Sequence, residues 1–264
     1  MAILTLYHAA SSYYSMIARW ALLEAGLSFD SRQLDIHRTK QQLSDAYLAI
    51  NPMLTVPALS TGTTVLTDSA DILAYAARHA GQHWQPSSPE SRRIVAAHYA
   101  IPIERLTFGK AMSSLPPLRL LFPRLLRGMC RDLSRRIAAD PAQSSALQAK
   151  LHLNESRIAY FRDGSLSLKL EAERQHVRDF LAQLPAPLAD GFLLGDRIGE
   201  ADIVTAVLLG RLRMIGEWPL VKNRPDLARW FDRMAARPGF SQADIWTRFQ
   251  LRRILFQQSD RLSP

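Results

Sequence analysis

Among 264 residues there is a single cysteine, Cys130. One thiol excludes an internal disulfide, a Cys-X-X-Cys redox pair and any cysteine-rich metal site, and a reducing, cytoplasmic setting is the default expectation. No run approaches the ~18 uncharged apolar residues that a membrane span requires, so no span is expected. Met1-Ala2-Ile3-Leu4-Thr5-Leu6-Tyr7 carries no basic residue ahead of its apolar run, and no signal peptide is expected. Internal repeats and low-complexity tracts are also missing. Aromatics are sparse where positive charge is dense. Arg119, Arg124, Arg127, Arg131, Arg135 and Arg136 stand against Asp132 alone, and Arg248, Arg252, Arg253 and Arg261 group in the tail. The formal charge of +9 is therefore read as the solvated faces of basic helices. A nucleic-acid surface would interleave stacking rings with the cations. What is present is 47% hydrophobic residues, enough for a packed core in one large domain or two modest ones.

The first eighty residues alternate between strand and helix patterns. Ile3–Tyr7 reads as a strand, Tyr14–Ala25 as a helix stopped by Gly26, Phe29–Leu34 as a strand, and Gln41–Ile50 as a helix closed by Pro52. Val56–Leu59 and Thr64–Leu66, separated by Thr61-Gly62, make a hairpin, and Ser69–Ala80 is a helix stopped by Gly81. The order βαβ-α-ββα is a small sheet with helices, parallel in its first half and antiparallel at the hairpin. Gln82–Pro89 is polar and proline-rich, hence a linker. Beyond it every pattern is helical: Pro89 to about Lys110, Leu118–Ala138 after Leu115-Pro116-Pro117, and Ala142–Phe161 after the Asp140-Pro141 start signal. Leu166–Leu184 follows the Asp163-Gly164 interruption, then come Glu200–Ile215, Pro225–Ala236 and Ser241–Phe256. The expected division is residues 1–81, a linker at 82–88, and a helical domain over 89–264.

Two short motifs carry the chemistry. Val56-Pro57, between a helical run and an apolar strand, is a place for a cis peptide, since X-Pro tolerates cis at about 0.5–1 kcal/mol. That geometry turns the Val56 N–H and C=O sideways, toward a peptide laid along the sheet edge. Eleven residues on, Asp68-Ser69 opens a fresh apolar period, so Ser69 sits at a helix N-terminus with a hydroxyl and backbone donors aimed at an anion. One peptide with a free carboxylate reaches both places.

Together these features resemble the glutathione transferase family, with a thioredoxin-like α/β N-terminal domain and an all-α C-terminal domain. The family pattern Asn-Pro-x-Gly-x-Val-Pro-x-Leu is followed by Asn51–Leu59, except that Leu54 replaces glycine. Asp68-Ser69-Ala70-Asp71-Ile72 matches the next motif. Phe192-Leu193-Leu194-Gly195-Asp196 with Ala201-Asp202-Ile203 resembles the capping segment of the helical domain, with Gly199 where Ser or Thr is usual. The resemblance covers residues 3–81 and about 191–240 well and is poor between about 110 and 165. It implies glutathione as co-substrate and no metal. Val56 and Pro57 would meet its cysteinyl part, Asp68 and Ser69 its γ-glutamyl end, and Lys40, Gln41 or Gln42 its glycine carboxylate.

Free glutathione has a thiol pKa near 8.5, so little thiolate exists at pH 7. Lowering it by about two units needs ~2.7 kcal/mol, within reach of one donated hydrogen bond and a helix N-terminus. Serine-using family members resemble Ser-x-x-(Ser/Cys)-x-x-x-Arg-x-x-Leu here, a pattern fitted by residues 12–22 with Ser12 as activator. Ser11, and Tyr7 at the end of the first strand, are the alternatives. Without a nearby cysteine, a covalent mixed disulfide with the protein is disfavoured. The electrophile site is expected between the domains, with Tyr99, Ile103, Leu106, Phe108 and Met112 on one helix and Tyr14 facing them. The implied partners are glutathione, a small hydrophobic electrophile and a second copy of the chain in a homodimer. The 110–165 segment is expected to lid the cleft or extend the dimer contact. The competing reading is a non-catalytic binding or regulatory protein that kept the fold, suggested by Leu54, Gly199 and the basic insertion.

Overall fold

The computed structural model describes residues 4–139, 144–162, 164–188 and 190–256. Ile3, Asp140-Pro141, Asp163 and Arg261, which entered the sequence reading, lie outside the described residues. Strands β1 (Leu4–His8), β2 (Phe29–Gln33), β3 (Ala58–Ser60) and β4 (Val65–Leu66) form one sheet in the order β2-β1-β3-β4. β1 runs parallel to β2, with Leu6 opposite Ser31, and antiparallel to β3, with Leu6 opposite Leu59. The β3–β4 pair is antiparallel. This is the expected mixed sheet. Residues along β1 alternate faces: Leu4 and Leu6 enter the main core, while Tyr7 joins Leu34, Tyr47 and Ala58 on the other side.

Helix α1 (Tyr13–Glu24) starts where Ser12 accepts a hydrogen bond from the Ser15 N–H. It ends in a Schellman motif, with Gly26 at φ +73 and the Leu27 N–H reaching the Leu22 carbonyl. Helix α3 (Ser69–His79) is capped by Asp68, whose carboxylate accepts from Ala70 N–H. Between them the expected Gln41–Ile50 helix is two pieces, a 3-10 turn at Gln41–Leu43 and α2 (Asp45–Leu48). Ser44 separates them because it is extended and caps the second piece through Tyr47 N–H.

The helical part comprises α4 (Pro89–Tyr99), α5 (Ile103–Ser114), α6 (Leu118–Ala139), α7 (Ser144–Arg162), α8 (Leu166–Gln183), α9 (Glu200–Met214), α10 (Pro225–Ala235), α11 (Pro238–Gln242) and α12 (Leu251–Phe256). Two sequence expectations are corrected here. The single helix from Pro89 to Lys110 is broken into α4 and α5, since Pro102 has no N–H to give and disfavours a helical Ile101. The expected Ser241–Phe256 helix is helical only at its ends, in α11 to Gln242 and in α12, because the carbonyls its middle would use are taken. Arg19 donates to Ala243 O at 2.7 Å and to Asp244 O at 3.1 Å, and Asp244 sits at φ +52.

Helix α9 is the centre of the molecule. Every residue from Glu200 to Leu212 is buried, and α1, α3, α4 and α10 pack around it. An all-round buried helix next to α1 fixes the N-terminus of α1 against the helical part. The α6–α7 hairpin crosses to the other side of the sheet part. There Leu133 and Leu147 bury against Leu48 and Leu54, Lys150 donates to the Leu54 carbonyl at 2.8 Å, and Arg136 reaches Leu43 O and the Asp45 carboxylate.

This contact accounts for Leu54. Its φ is +53, a conformation that favours glycine and costs a side-chain-bearing residue about 1–2 kcal/mol. Its side chain is fully buried, which contributes about 1.5–3 kcal/mol. Glycine would fit the turn but leave the hairpin without its anchor. Gly199 has a comparable reason: a Cβ there would come within 3.0 Å of Gln85 Cβ. Asp202 supplies the other half of the cap, accepting from Gly199 N–H at 2.9 Å and from Leu193 N–H at 2.8 Å.

Candidate active site

Val56-Pro57 is cis and leads directly into β3. Among the described residues neither the N–H nor the C=O of Val56 has a hydrogen-bond partner, so both remain for an incoming peptide. The turn before it is held from inside. Tyr47 Oη and Asn51 Nδ2 each donate to Thr55 O at 2.7 Å, and Asn51 Oδ1 accepts from Met53 N–H at 2.9 Å. Asn51 is fully buried. Its structural task explains an asparagine in the motif that the sequence reading left without a role.

Ser69 lies at the first position of α3, buried, with its Oγ 2.9 Å from Tyr99 Oη. Asp68 accepts from Ala70 N–H at 2.7 Å. The first turn of an eleven-residue helix thus presents unpaired N–H groups beside two side-chain oxygens. Lys40 sits at φ +54 ahead of the 3-10 turn. Gln42 is buried, donates to Ile36 O at 3.4 Å and leaves its Oε1 without a partner. Gln41 is occupied with Asp35 N–H.

The three candidate hydroxyls have different surroundings. Ser12 Oγ accepts from Ser15 N–H at 3.3 Å, which leaves its own proton to donate. Ser11 Oγ is bonded to His37 Nε2 at 2.7 Å. Burial, outweighing Asp35, holds the His37 pKa below the usual imidazole value. Tyr7 faces the opposite side of the sheet from α1, its ring edge-on to Tyr47 at 6.1 Å.

Between the sheet part and the helices, Tyr14 stacks parallel to Tyr99 at 6.1 Å and stands edge-on to Tyr13 at 5.3 Å. Burial, reinforced by Glu104 and Asp68, pushes Tyr14 up to about 12. Tyr13 Oη is 2.6 Å from His98 Nε2, and burial drops His98 to about 3. Ile103 and Leu106 do not line this cleft. Both lie inside the main core, because that face of α5 turns toward α8, and Met112 on the same helix is buried as well. Phe108 instead stacks on Phe122 at 4.7 Å and helps line a cavity of about 150 Å³ with Glu104, Arg157 and Tyr160. A second concavity, about 900 Å³ between α6 and α7, is walled by Arg124, Arg127, Arg131 and Arg135 and shares no residue with the predicted site. No group of three or more metal-ligating side chains occurs among the described residues, and no helix there is long and apolar enough to cross a membrane.

Comparison with known proteins decides the family. The profile described as glutathione S-transferase, N-terminal domain, matches residues 6–84, and that described as glutathione S-transferase, C-terminal domain, matches residues 156–238. The chain belongs to the glutathione transferase family. Tetrachloro-p-hydroquinone reductive dehalogenase of Sphingobium chlorophenolicum is 26% identical over 91% of this chain and 95% of that relative. Glutathione S-transferase theta-1 of Rattus norvegicus is 27% identical over 76% of this chain and 70% of its own. Among solved structures, a glutathione transferase family member from Pseudomonas fluorescens Pf-5 with two glutathione bound aligns at TM-score 0.62 and 16% identity, covering 92% of each chain. Glutathione transferase F7 from Populus trichocarpa aligns at 0.58 and 18%, covering 94% of this chain and 100% of that one. At those identities the structures support the fold. The stretch between the two matched segments holds α4, α5, α6 and the first part of α7, and so contains the hairpin anchored on Leu54.

Proposed function

We propose that this chain is a glutathione transferase in which Ser12 activates the thiol. Glutathione lies with its cysteinyl backbone paired to Val56, its γ-glutamyl carboxylate on Ser69 and the first turn of α3, and its glycine end toward Lys40 and Gln42. Ser12 Oγ–H donates to the sulfur while its lone pair holds Ser15 N–H, so one hydroxyl is both cap and donor. The thiolate attacks an electrophilic carbon, the S–C bond forms, and the leaving group departs with its electron pair. Tyr14 and Tyr99 supply the apolar, aromatic wall for that electrophile. The relative named for tetrachloro-p-hydroquinone makes a halogenated aromatic the first class to try. We further propose that the protein works in the cytoplasm as a homodimer, divided at residues 82–88.

The observation that carries this reading is the unpaired Val56 backbone placed in one chain with a donor serine at the head of α1 and a buried serine at the head of α3. The binding-only alternative loses its main support, since Leu54 and Gly199 answer to the α6–α7 hairpin and to Gln85. Steady-state kinetics on S12A and Y7F test the assignment. S12A lowers kcat at least tenfold and leaves glutathione affinity within a few-fold, the signature of an interaction that grows in the transition state. Y7F stays near the parent. The reverse pattern transfers the role to Tyr7.

A further inference from the structure

The loop between β1 and α1 is gripped by two buried arginines from opposite sides. Arg19 of α1 donates to Ala9 O at 3.1 Å and Ala10 O at 3.3 Å, and Arg211 of α9 donates to Ser11 O at 3.2 Å. Three successive carbonyls ahead of Ser12 are thereby fixed by guanidinium groups. The two arginines differ in their electrostatics. Arg19 lies close to Asp244 and also bonds His8 Nδ1 at 3.1 Å.

Arg211 is buried, its remaining partner is the Tyr13 ring at 5.3 Å, and its Nε has none. No carboxylate pairs with it among the described residues. The groups that face it are Tyr13 and Tyr14 from α1 and Glu104 from α5, with His98 of α4 behind Tyr13 and Arg157 of α7 holding Glu104. A buried cation without a counter-ion is costly, and an apolar residue would fill the same space without that cost. Its charge is therefore expected to have a use at this place.

We infer that Arg211 is a positioning residue of the thiol-activating loop, which sets the Ser12 hydroxyl through the Ser11 carbonyl and leaves a positive charge that favours the thiolate. The inference rests on the reading of Ser12 given above. It accounts for the missing carboxylate, because the counter-ion arrives with the substrate as the ionised sulfur. It also accounts for the long reach from α9, since a charge on a helix buried on every side from Glu200 to Leu212 is held against the loop by its packing.

The test is the ultraviolet thiolate absorbance of bound glutathione titrated against pH in the parent, R211M and R211K. In R211M the thiol pKa rises by about one unit, a tenfold loss of thiolate at fixed pH. S-methylglutathione, which has no thiol to ionise, binds within threefold of the parent. R211K recovers at least half of the shift. A folded R211M that titrates like the parent overturns the inference and spares Ser12, and so does parallel loss of S-methylglutathione binding. If R211M does not fold, S12A decides: a thiol still titrating below free glutathione supports the charge, and a return to the free value rejects it. A parent whose bound glutathione titrates as in free solution removes the Ser12 reading and this inference together.

Discussion

Ser69 shows how one side chain can serve both stability and binding, and how the two can be separated. Its hydroxyl is paired with Tyr99 and is proposed to meet a carboxylate when glutathione binds. S69A removes both contacts. It is expected to weaken glutathione binding by about 1–3 kcal/mol, the range for a buried polar group left without its partner, and to lower Tm because the Tyr99 hydroxyl is orphaned. Y99F breaks the same pair but keeps the serine, so calorimetric binding of glutathione should stay within threefold of the parent. Equal loss in the two variants would mean that Ser69 acts only through Tyr99. Ser69 was legible in the sequence because a helix N-terminus is a local pattern, whereas its bond to Tyr99, thirty residues on, was not. Arg211, His98 and Lys150 were not, since their partners Ser11, Tyr13 and Leu54 lie far away in sequence and no spacing announces such pairs.

At the level of elements, the α6–α7 hairpin is the part that sequence described least well. Its basic, amphipathic pattern gave two helices, but the apolar face that α6 and α7 turn toward α2 has no signature distinct from any other helix face. The clue was at the other end of the contact, in a leucine standing where the motif expects glycine. Leu54→Ala should cost about 2–4 kcal/mol, the usual range for a buried leucine, and the loss should be local. Hydrogen exchange is expected to quicken in the second half of α6 and in α7, while amides of β1 and α9 keep their protection. K150M, which removes the donor to Leu54 O, should act on the same amides. Uniform acceleration across the chain would show that the hairpin is not a separate unit. Other element errors have equally concrete sources. Pro102 stands inside the span read as one helix and breaks it, and the end of the α11 region is diverted by a guanidinium from residue 19.

For the molecule as a whole, the buried titratable groups set how stability responds to acid. His8 and His98 are both driven down to about 3, His8 by burial and then by Arg19, His98 by burial alone. An unfolded histidine takes up a proton near pH 6.5, so between pH 6.5 and 3 each histidine binds more protons unfolded than folded. Stability must then fall as the pH is lowered through that window. Asp202 works in the other direction. Burial, outweighing its bonds from Leu193 and Gly199, raises it to about 7, so the folded state holds a proton the unfolded state lacks and acidification gains stability there. With two histidines against one carboxyl, the net difference grows from a fraction of a proton at pH 6.5, where an unfolded histidine is only half protonated, to about one proton by pH 5, where about 1.4 kcal/mol is lost per pH unit. The sign is unchanged by His37, which shifts in the same direction as the other two histidines. Carboxylates held by ion pairs, such as Glu217 and Asp226, add their losses only at lower pH. Chemical denaturation at pH 6.5, 5.75 and 5 measures the slope. H98Q removes one of these titrations, so its stability should fall less steeply than the parent's across that range even though it starts lower. A variant as acid-sensitive as the parent would place the proton uptake elsewhere than the Tyr13–His98 contact.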